Sequence, residues 1–368
     1  MLKLNQIPRK EPKIRIGIIL PRDILKTLQL SFSDPECYEI ETSSKIFPSC
    51  TNKKIINIEA NDNKIIIPQL SLNSNSIKFI PSIPDDNPFV KINKVPAGRG
   101  FHWEKKIDLS YWGTIELSCI NNNIMVINEL PLENYLKCVA TSEMSAICPQ
   151  EFLKAQFIIA RSWLLANTER KHVHLSFDIC NDDCCQRYQG ILNTTKKSNE
   201  VSELTFGKVI TYNNKIGDAR YSKSCGGITE NFENVWVGNK IPYLTSIEDK
   251  NSKGIPYCST DILSESSLKT YIGNIDDDGE YYRWNYKINN KNLIHSLKNN
   301  FSLDVKKILE LNPIKVGASG RIIKLEIVFL NIDDRTMNIE IISEYQIRKI
   351  LSPSFLYSSA FTVNKIKD

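Results

Sequence analysis

The fold is decided by one stretch of the chain, Pro131-Leu-Glu-Asn-Tyr-Leu-Lys-Cys-Val-Ala-Thr-Ser-Glu143, where the hydrophobic period changes from two to helical. Pro131 suits the first turn of a helix, because the N–H that proline lacks has no helical partner there. The apolar residues then recur at i, i+3, i+4 and i+7, as Leu132, Tyr135, Leu136 and Val139. This spacing predicts an amphipathic helix with a single buried stripe.

Upstream of this stretch, residues 13–126 predict a β-rich N-terminal region. β-branched and aromatic residues alternate or bunch between Asn, Pro and Gly breakers. Thr114–Ile120 and Ile124–Ile127 have the pattern of a hairpin, which could instead belong to the core that follows. Residues 1–12 are polar and carry two prolines, which predicts a flexible N-terminus.

Downstream, residues 127–365 are predicted to form a mixed core, so the fold class is α+β with helices packed on strands. A second helix is predicted over 149–167, with an inward face of Phe152, Ala155, Ile159 and Trp163. The remaining pattern predicts strands over 207–212 and 216–221, helices over 259–275 and 291–310, and a closing strand pair over 322–329 and 337–342.

Composition and charge exclude several functional classes. The 368 residues carry a net charge of +5 without a basic cluster, so no nucleic-acid surface is indicated. The Gly-rich nucleotide loops and the Gly-x-Ser-x-Gly elbow are absent, and four histidines leave little material for a Ser-His-Asp triad. No apolar run has the length of a signal h-region or a membrane span. We therefore expect either a cytoplasmic chain or a targeting segment that is missing from this start.

Glu143 is the first candidate for chemistry. It follows Leu132 by roughly three helical turns, so a continued helix would place its carboxylate on the apolar stripe. Burial of a carboxyl group raises its pKa, which is the property that a general acid needs near neutral pH. The alternative is that the helix ends at about Ser142 and Glu143 is a solvated or capping residue.

A second candidate is a cluster of soft metal ligands. Four such residues lie within twelve positions, namely His174, Cys180, Cys184 and Cys185. One loop could therefore close a tetrahedral Zn²⁺ site whose role is structural, because no position is left for water. The alternatives are a disulfide from Cys180 to a distant cysteine such as Cys225, or free thiols in a reducing compartment.

A third candidate is Ala219–Glu230. Tyr221 and Lys223 are two positions apart, which places them on one face of a predicted strand. The following Gly226-Gly227 would let the backbone approach a ligand such as a sugar closely. The alternative is an ordinary strand that ends in a turn.

Several motifs in this order resemble the stage II sporulation protein D/LytB family, known by its SpoIID domain. The likeness covers about residues 100–360. The matching motifs are Phe101–Glu104, Pro131–Leu136, Ser142–Met144, Leu153–Gln156, Ala160–Trp163, Phe177–Cys180, Cys185–Gly190, Ser224–Glu230, Asn234–Trp236, Pro242–Leu244 and Ser319–Arg321.

The resemblance implies a lytic transglycosylase that cleaves peptidoglycan glycan strands, often ones already stripped of peptides by an amidase partner. Glu143 matches the catalytic glutamate of the family, and a single carboxyl group suffices because the sugar's own C6 hydroxyl closes a 1,6-anhydro ring. Functional positions are also matched by Lys154, Arg161, Tyr221 and Lys223, which we assign to glycan and charge contacts. The alternatives are an exposed helix charge for Lys154 and a structural ion pair for Arg161.

Some members of the family also carry a zinc loop. Three of its ligands are matched by His174, Cys180 and Cys185, and Cys184 stands where the fourth is usually histidine. The family implies an envelope, periplasmic or extracellular location. It also leaves a second function open, that of a LytB-type amidase enhancer that holds glycan and stimulates a cell-wall hydrolase without turnover. A third hypothesis is a cytoplasmic protein that retains the fold for another polysaccharide or for none.

Overall fold

The computed structural model describes residues 2, 7–43, 45–47, 53–82, 88–101, 103–166, 169–236, 238–272 and 282–365. These residues form two compact units. The first comprises residues 1–99, 103–221 and 270–275, and the second comprises residues 100–102, 222–269 and 276–368. The predicted boundary near residue 126 therefore lies inside the first unit, and the division of the chain comes near residue 221.

The first unit is built mainly of strands. In chain order they are β1 Lys13–Ile19, β2 Thr27–Phe32, β3 Tyr38–Thr42, β4 Ile46–Phe47, β5 Ile55–Asn61, β6 Lys64–Ile67, β7 Leu72–Ser74, β8 Ser76–Pro81, β9 Val90–Ala97, β10 Lys105–Tyr111, β11 Thr114–Ile120, β12 Asn123–Pro131, β13 Ile179–Cys180, β14 Thr211–Tyr212 and β15 Lys215–Ile216. The helices of this unit are α1 Leu132–Glu143, α2 Gln150–Ala166 and α3 Lys196–Leu204. The α+β fold class and the β-rich N-terminal region are confirmed.

Two larger sheets and a short hairpin order these strands. The seven-stranded sheet has the order β13-β1-β12-β11-β8-β3-β4, the six-stranded sheet has the order β10-β9-β2-β5-β6-β7, and β14 pairs with β15. β11 and β12 form the predicted hairpin, and its turn holds Asn121 and Asn122 at φ values of 51° and 57°. Asparagine tolerates this left-handed region better than most residues do, which explains the turn.

The helices continue the same core. β12 ends at Pro131 and α1 begins at Leu132, so no linker separates the two. Residues of the N-terminal strands, such as Ile16, share one hydrophobic cluster with Leu136 of α1 and Phe157 of α2. The backbone N–H groups at the start of α1 are held by the N-terminal segment, since Leu132 N–H donates to the Pro12 carbonyl at 3.0 Å.

The two main helices differ in how well their buried faces follow the prediction. All four residues of the predicted stripe of α1 are buried, which confirms it. The predicted face of α2 is wrong by one position, because Phe152 is 41% exposed whereas Leu153, Phe157, Ala160 and Leu164 are each 0% exposed. This helix is apolar around most of its circumference, so its sequence does not single out one stripe.

Strand β13 attaches a later loop to the central sheet. It pairs in parallel with β1, with Ile16 opposite Ile179 and Gly17 opposite Cys180. A side chain at Gly17 would meet the Phe177 ring at 2.6 Å, so this approach requires glycine. The segment that begins at Phe177 is therefore fixed against a strand about 160 residues earlier in the chain.

The second unit has a smaller core of its own. Its elements are α4 Phe232–Val235, α5 Glu265–Ile272, α6 Asn290–Phe301, β16 Val305–Val316, β17 Ile322–Asn331, β18 Thr336–Ile342 and α7 Glu344–Leu351, with the last residues of α5 assigned to the first unit. The sheet order is β16-β17-β18, and its core includes Leu297, Leu325 and Ile347. The closing strand pair is confirmed as β17 and β18.

Four other predicted elements differ from the structure. The helix predicted over 291–310 ends at Phe301, and its last residues belong to β16. Ser302 adopts a left-handed conformation at φ 55°, which ends the helix before the strand begins. Of the strands predicted over 207–212 and 216–221, only Thr211, Tyr212 and Ile216 are paired, in the short hairpin of β14 and β15. The helix predicted from residue 259 begins at Glu265, and residues 273–275 lie outside the described ranges. Within the described ranges, no helix has the length and apolar character needed to cross a bilayer.

Candidate functional site

Glu143 is the last residue of α1 and points inward. It continues the buried stripe of that helix and is only 9% exposed. The helix therefore does not end before Glu143, and the alternative of a solvated residue is excluded. The next residue, Met144, leaves the helical conformation and caps it through its N–H on the Ala140 carbonyl at 3.0 Å.

Two donors form hydrogen bonds with one oxygen of this carboxyl group. The backbone N–H of Arg187 donates to Glu143 Oε1 at 2.8 Å, and the hydroxyl of Tyr221 donates to the same atom at 3.3 Å. These donors come from two segments that follow α1 by more than 40 residues. The carboxyl group is therefore held in one orientation by parts of the chain that only the fold brings together.

A chain of hydrogen bonds extends behind Tyr221. Tyr135 donates its hydroxyl to Gln186 Oε1 at 2.9 Å, and Gln186 Nε2 donates to the Tyr221 hydroxyl at 3.3 Å. Burial raises the pKa of Tyr221 well above its usual value, so its phenol keeps its proton at neutral pH. Every member of the chain can thus donate towards Glu143, which gives the network one direction.

The side chain of Arg187 belongs to a second cluster beside this network. Its guanidinium pairs with Asp183 at 2.9 Å and lies 3.8 Å from the centre of the Trp103 ring. The indole N–H of Trp103 donates to the same carboxylate at 2.7 Å. Both oxygens of the Asp183 carboxylate accept hydrogen bonds, so Asp183 holds Arg187 in place. This cluster therefore fixes the backbone N–H of Arg187 that donates to Glu143.

Sequence reasoning missed Trp103, Asp183, Gln186 and Arg187 as site residues. Gln186 and Arg187 directly follow Cys185 in a motif of which only the cysteines were interpreted. Trp103 belongs to the motif Phe101–Glu104, whose His102 lies outside the described residues. Their signal was position within these motifs, since a lone Gln or Trp does not indicate a site by its residue type.

Arg161 does not occupy a position from which it could contact substrate. It is 0% exposed and pairs with both oxygens of Glu133, at 2.9 Å through Nε and 2.6 Å through Nη2. Its Nη1 donates to the Lys208 carbonyl at 3.0 Å. The assignment of Arg161 to glycan contacts is therefore corrected to the alternative, a structural ion pair.

The other predicted contact residues are distributed over both units. Lys154 is half-buried on α2 and its amino group lies 2.7 Å from Glu151. Tyr221 reaches Glu143 from an irregular segment that follows β15, so the predicted strand face shared by Tyr221 and Lys223 does not form. Lys223 belongs to the second unit. The roles of Lys154 and Lys223 in binding stay predictions.

The cysteine loop does gather a set of metal ligands. His172, Cys180, Cys184 and Cys185 each offer one atom, and these atoms all lie within 4.8 Å of one another. The Cys180 and Cys184 sulfurs are 3.1 Å apart, and Cys184 Sγ lies 3.9 Å from His172 Nε2. Three of the four predicted ligands are thus brought together.

The fourth candidate ligand is His172 and not His174, which corrects the prediction. His174 lies in a short 3-10 helix, Val173–Leu175, and is exposed. His172 lies one residue before this helix, as its N-cap, and its imidazole lies with the three cysteine sulfurs. Of the two histidines, His172 therefore belongs to the cluster, and the sequence spacing did not show which of them would.

The charges of the thiols suit a metal ion. Hydrogen bonds from Cys180 and Cys185, together with His172, lower the pKa of the Cys184 thiol, which favours the thiolate that binds metal. The hydrogen bond with Cys184 raises the pKa of the Cys180 thiol. All cysteines in the described ranges are free thiols, so Cys180 and Cys225 form no disulfide. Three crowded thiols and an imidazole form a donor set that fits a tetrahedral metal site.

Comparisons with known proteins place this site in a family context. The model of a family described as stage II sporulation protein, SpoIID, matches residues 120–212. A second model, described as a domain of unknown function (DUF8618), matches residues 230–368. Glu143 and the four ligands of the cluster all lie within the first match.

Curated relatives agree with that match. An uncharacterised protein of Brachyspira hyodysenteriae is 30% identical over 168 residues, 45% of this chain and 45% of its own length. Stage II sporulation protein D of Bacillus subtilis is 29% identical over 165 residues, 40% of this chain and 47% of its own. An amidase enhancer of the same organism is 33% identical over 135 residues, 37% of this chain and 18% of its own. The matched segment thus spans less than half the length of each relative.

Proposed function

The chain belongs to the SpoIID/LytB family through its SpoIID domain, and from this premise we propose that it is a lytic transglycosylase that cleaves peptidoglycan glycan strands. The family and the names of the relatives support a role at the bacterial cell wall. The observation that carries the proposal is the burial and hydrogen bonding of Glu143. Its side chain is 9% exposed, and two donors bond to one oxygen of its carboxyl group.

The proposed reaction needs a carboxyl group that both gives and takes a proton. Oε1 accepts the hydrogens of Arg187 and Tyr221, and these two bonds fix the orientation in which the Glu143 carboxyl group meets the substrate. Glu143 donates its proton to the glycosidic oxygen as the bond from that oxygen to C1 breaks. The resulting carboxylate lies beside the positive charge that develops on the sugar ring and stabilises it.

The second half of the reaction uses the substrate's own hydroxyl group. The Glu143 carboxylate takes the proton of the C6 hydroxyl while that oxygen attacks C1 and closes a 1,6-anhydro ring. No water is consumed and Glu143 is again protonated. A second catalytic carboxylate, which ordinary glycosidases require, has no task here. This agrees with the nearby Asp183, whose carboxylate is bound by Arg187 and Trp103.

We assign Zn²⁺ as the metal of the cysteine loop, held by His172, Cys180, Cys184 and Cys185. Four protein ligands would fill a tetrahedral shell, so the ion would supply a structural constraint and no reactive water. The constraint acts close to the site, because Cys185 directly precedes the residues that contact Glu143 and Tyr221. The metal would thus hold the loop from which Arg187 donates.

The remaining assignments follow from the same proposal. Lys154 and Lys223 would contact the glycan, which we take to be a strand already stripped of its peptides. An N-acetylmuramoyl-L-alanine amidase is the partner that would prepare such strands. The site of action would be the cell envelope, periplasm or exterior, where peptidoglycan is found.

The named amidase enhancer among the relatives supports a second candidate function. In this role the chain would hold glycan and stimulate a cell-wall hydrolase, with no turnover of its own. Both functions use the same surface, but only the transglycosylase requires Glu143 to exchange a proton.

A Glu143→Gln variant separates the two functions. Denuded glycan strands and intact sacculi are digested with each protein, and mass spectrometry counts the 1,6-anhydro ends. We expect these ends from the wild type, fewer by at least a hundredfold from Glu143→Gln, and unchanged from Glu203→Gln, whose glutamate is exposed on α3. Anhydro ends at the wild-type level from Glu143→Gln would refute the assignment. Their absence from all three, with amidase stimulation retained, would favour the enhancer.

A further inference from the structure

A pair of thiols in the second unit lies outside both the proposed active site and the metal loop. Cys225 and Cys258 are half-buried, and each thiol shifts the pKa of the other. Both belong to the second unit, and neither takes part in the metal cluster. They are far apart in sequence, so their proximity depends on how the segment between them folds back on itself.

Backbone bonds hold the three segments that bring the pair together. Asp249 N–H donates to the Gly227 carbonyl at 2.9 Å, and Tyr257 N–H donates to the Asp249 carbonyl at 3.2 Å. Two antiparallel bridges add to these bonds, Ile228 with Glu248 and Lys250 with Pro256. The segment around Asp249 is thus bonded to the neighbours of both cysteines.

Gly227, the second residue after Cys225, makes the close approach of the two segments possible. Gly227 has a φ of 97°, and a side chain there would meet Pro256 Cγ at 2.6 Å. Glycine is therefore required both for the conformation and for the space. Because Pro256 is two residues before Cys258, this packing sets the separation of the two thiols.

The two sulfurs have different environments. Cys225 Sγ donates to Asp249 Oδ2 at 3.4 Å and accepts the Gly227 N–H at 3.3 Å. The neighbouring Cys258 raises the pKa of Cys225, whereas Cys225 lowers the pKa of Cys258 to about 5. The charged groups nearby include the Asp249 carboxylate, the Lys250 side chain beside Gly227, and the Arg321 guanidinium, which donates to the Cys225 carbonyl at 3.0 Å.

We propose that Cys225 and Cys258 form a thiol–disulfide exchange site that closes to a reversible disulfide by reaction with a low-molecular-weight disulfide. The Cys258 thiolate attacks one sulfur of that disulfide, forms a mixed disulfide and releases one thiolate. Cys225 loses its proton and attacks the Cys258 sulfur, which closes the protein disulfide and releases the second thiolate. The two released thiolates take up two protons, and two electrons pass from the protein to the small disulfide.

The crosslink would fix a part of the second unit that contains Gly226-Gly227 and α4. It closes a loop of about 30 residues, and constraining a loop of that length in the unfolded chain stabilises the folded state. Because the metal-binding thiols are a separate group, the two sets of cysteines can respond differently to the same oxidant.

The test is carried out on the reduced full-length chain. After incubation with oxidised glutathione, free thiols are alkylated and the peptides are identified by mass spectrometry. We expect linked peptides that contain Cys225 and Cys258, and their loss in Cys225→Ser and in Cys258→Ser. A Cys119→Ser variant is the matched control, because it removes a half-buried cysteine of β11 and leaves the pair intact.

The single variants also test which sulfur attacks first. Cys225→Ser should accumulate a glutathione adduct on Cys258, at least about tenfold faster than Cys258→Ser accumulates one on Cys225. Circular dichroism spectra equal to that of the wild type would show that both variants are folded. The proposal is overturned if both cysteines stay fully alkylatable after oxidation, or if either pairs with another cysteine in the folded chain.

Discussion

An Arg161→Met substitution tests the structural ion pair directly. Methionine has a similar length but no charge, so the substitution leaves the Glu133 carboxylate buried without its main partner. The donors that would remain on Glu133 are Ser202 Oγ at 3.3 Å and Gly207 N–H at 3.4 Å, both long for hydrogen bonds. These contacts are too weak to replace a bidentate guanidinium.

The expected loss follows from the burial of the pair. Removing one partner of a buried ion pair costs about 3–5 kcal/mol of unfolding free energy. With a denaturant slope of about 4 kcal/mol/M in guanidinium chloride, the midpoint of the first unit should fall by about 1 M. Lys154→Met is the matched control, and its partly exposed pair with Glu151 should change the midpoint by about 0.2 M or less.

The assay is unfolding in guanidinium chloride followed by tryptophan fluorescence and circular dichroism. A double variant with Glu133→Gln and Arg161→Met should regain about 1 kcal/mol or more, because it leaves no unpaired charge. If Arg161→Met unfolds at the wild-type midpoint yet loses glycan binding, then Arg161 contacts substrate and the structural interpretation is refuted.

Three further predictions concern the site and the second unit. His172→Ala should lower the zinc bound per chain, measured by elemental analysis after dialysis, whereas His174→Ala should retain it; the reverse result would restore the sequence-based assignment. Tyr221→Phe should lower the rate of anhydro-end formation by about 10- to 100-fold at an unchanged melting temperature, because one hydrogen bond to a charged group is lost; an unchanged rate would remove Tyr221 from the mechanism. Burial raises the pKa of Glu344 in the folded state. This group therefore contributes stability below pH about 4.3, the pKa of an unfolded glutamate, and the contribution is lost as pH rises through the pKa that Glu344 has in the folded state. The stability–pH curve of Glu344→Gln should therefore lack this decline, and a curve parallel to that of the wild type would contradict the assignment.

The success of sequence interpretation depended on how distinctive each pattern was. In α1 the apolar residues form one narrow stripe, so the pattern correctly predicted both the helix and the buried position of Glu143. In α2 apolar residues surround most of the helix, and the inward face was misplaced by one position. The segment after Phe301 forms strand β16. Its apolar residues are few, and in so short a run their spacing fits a helix as well as a strand.

The candidate site was predictable only where residue type indicates chemistry. Cysteines at close spacing indicated a metal site, but two histidines two positions apart satisfied the spacing equally well. Arg187 contributes its backbone N–H to Glu143, and a backbone group leaves no trace in the residue type. Arg161 was misassigned because its partner Glu133 lies 28 positions away on another helix, where only the fold shows the contact.

The parallel pairing of β13 with β1 limits how the chain can be shortened for experiments. A fragment trimmed to the family match, residues 120–212, would lack β1 and nearly all of β11. β12 would then have two bare edges, which tend to recruit other chains and aggregate. The cysteine loop would also lose the strand on which it is mounted. Crystallisation or binding studies of this region should therefore retain the chain from about residue 11 to Tyr221.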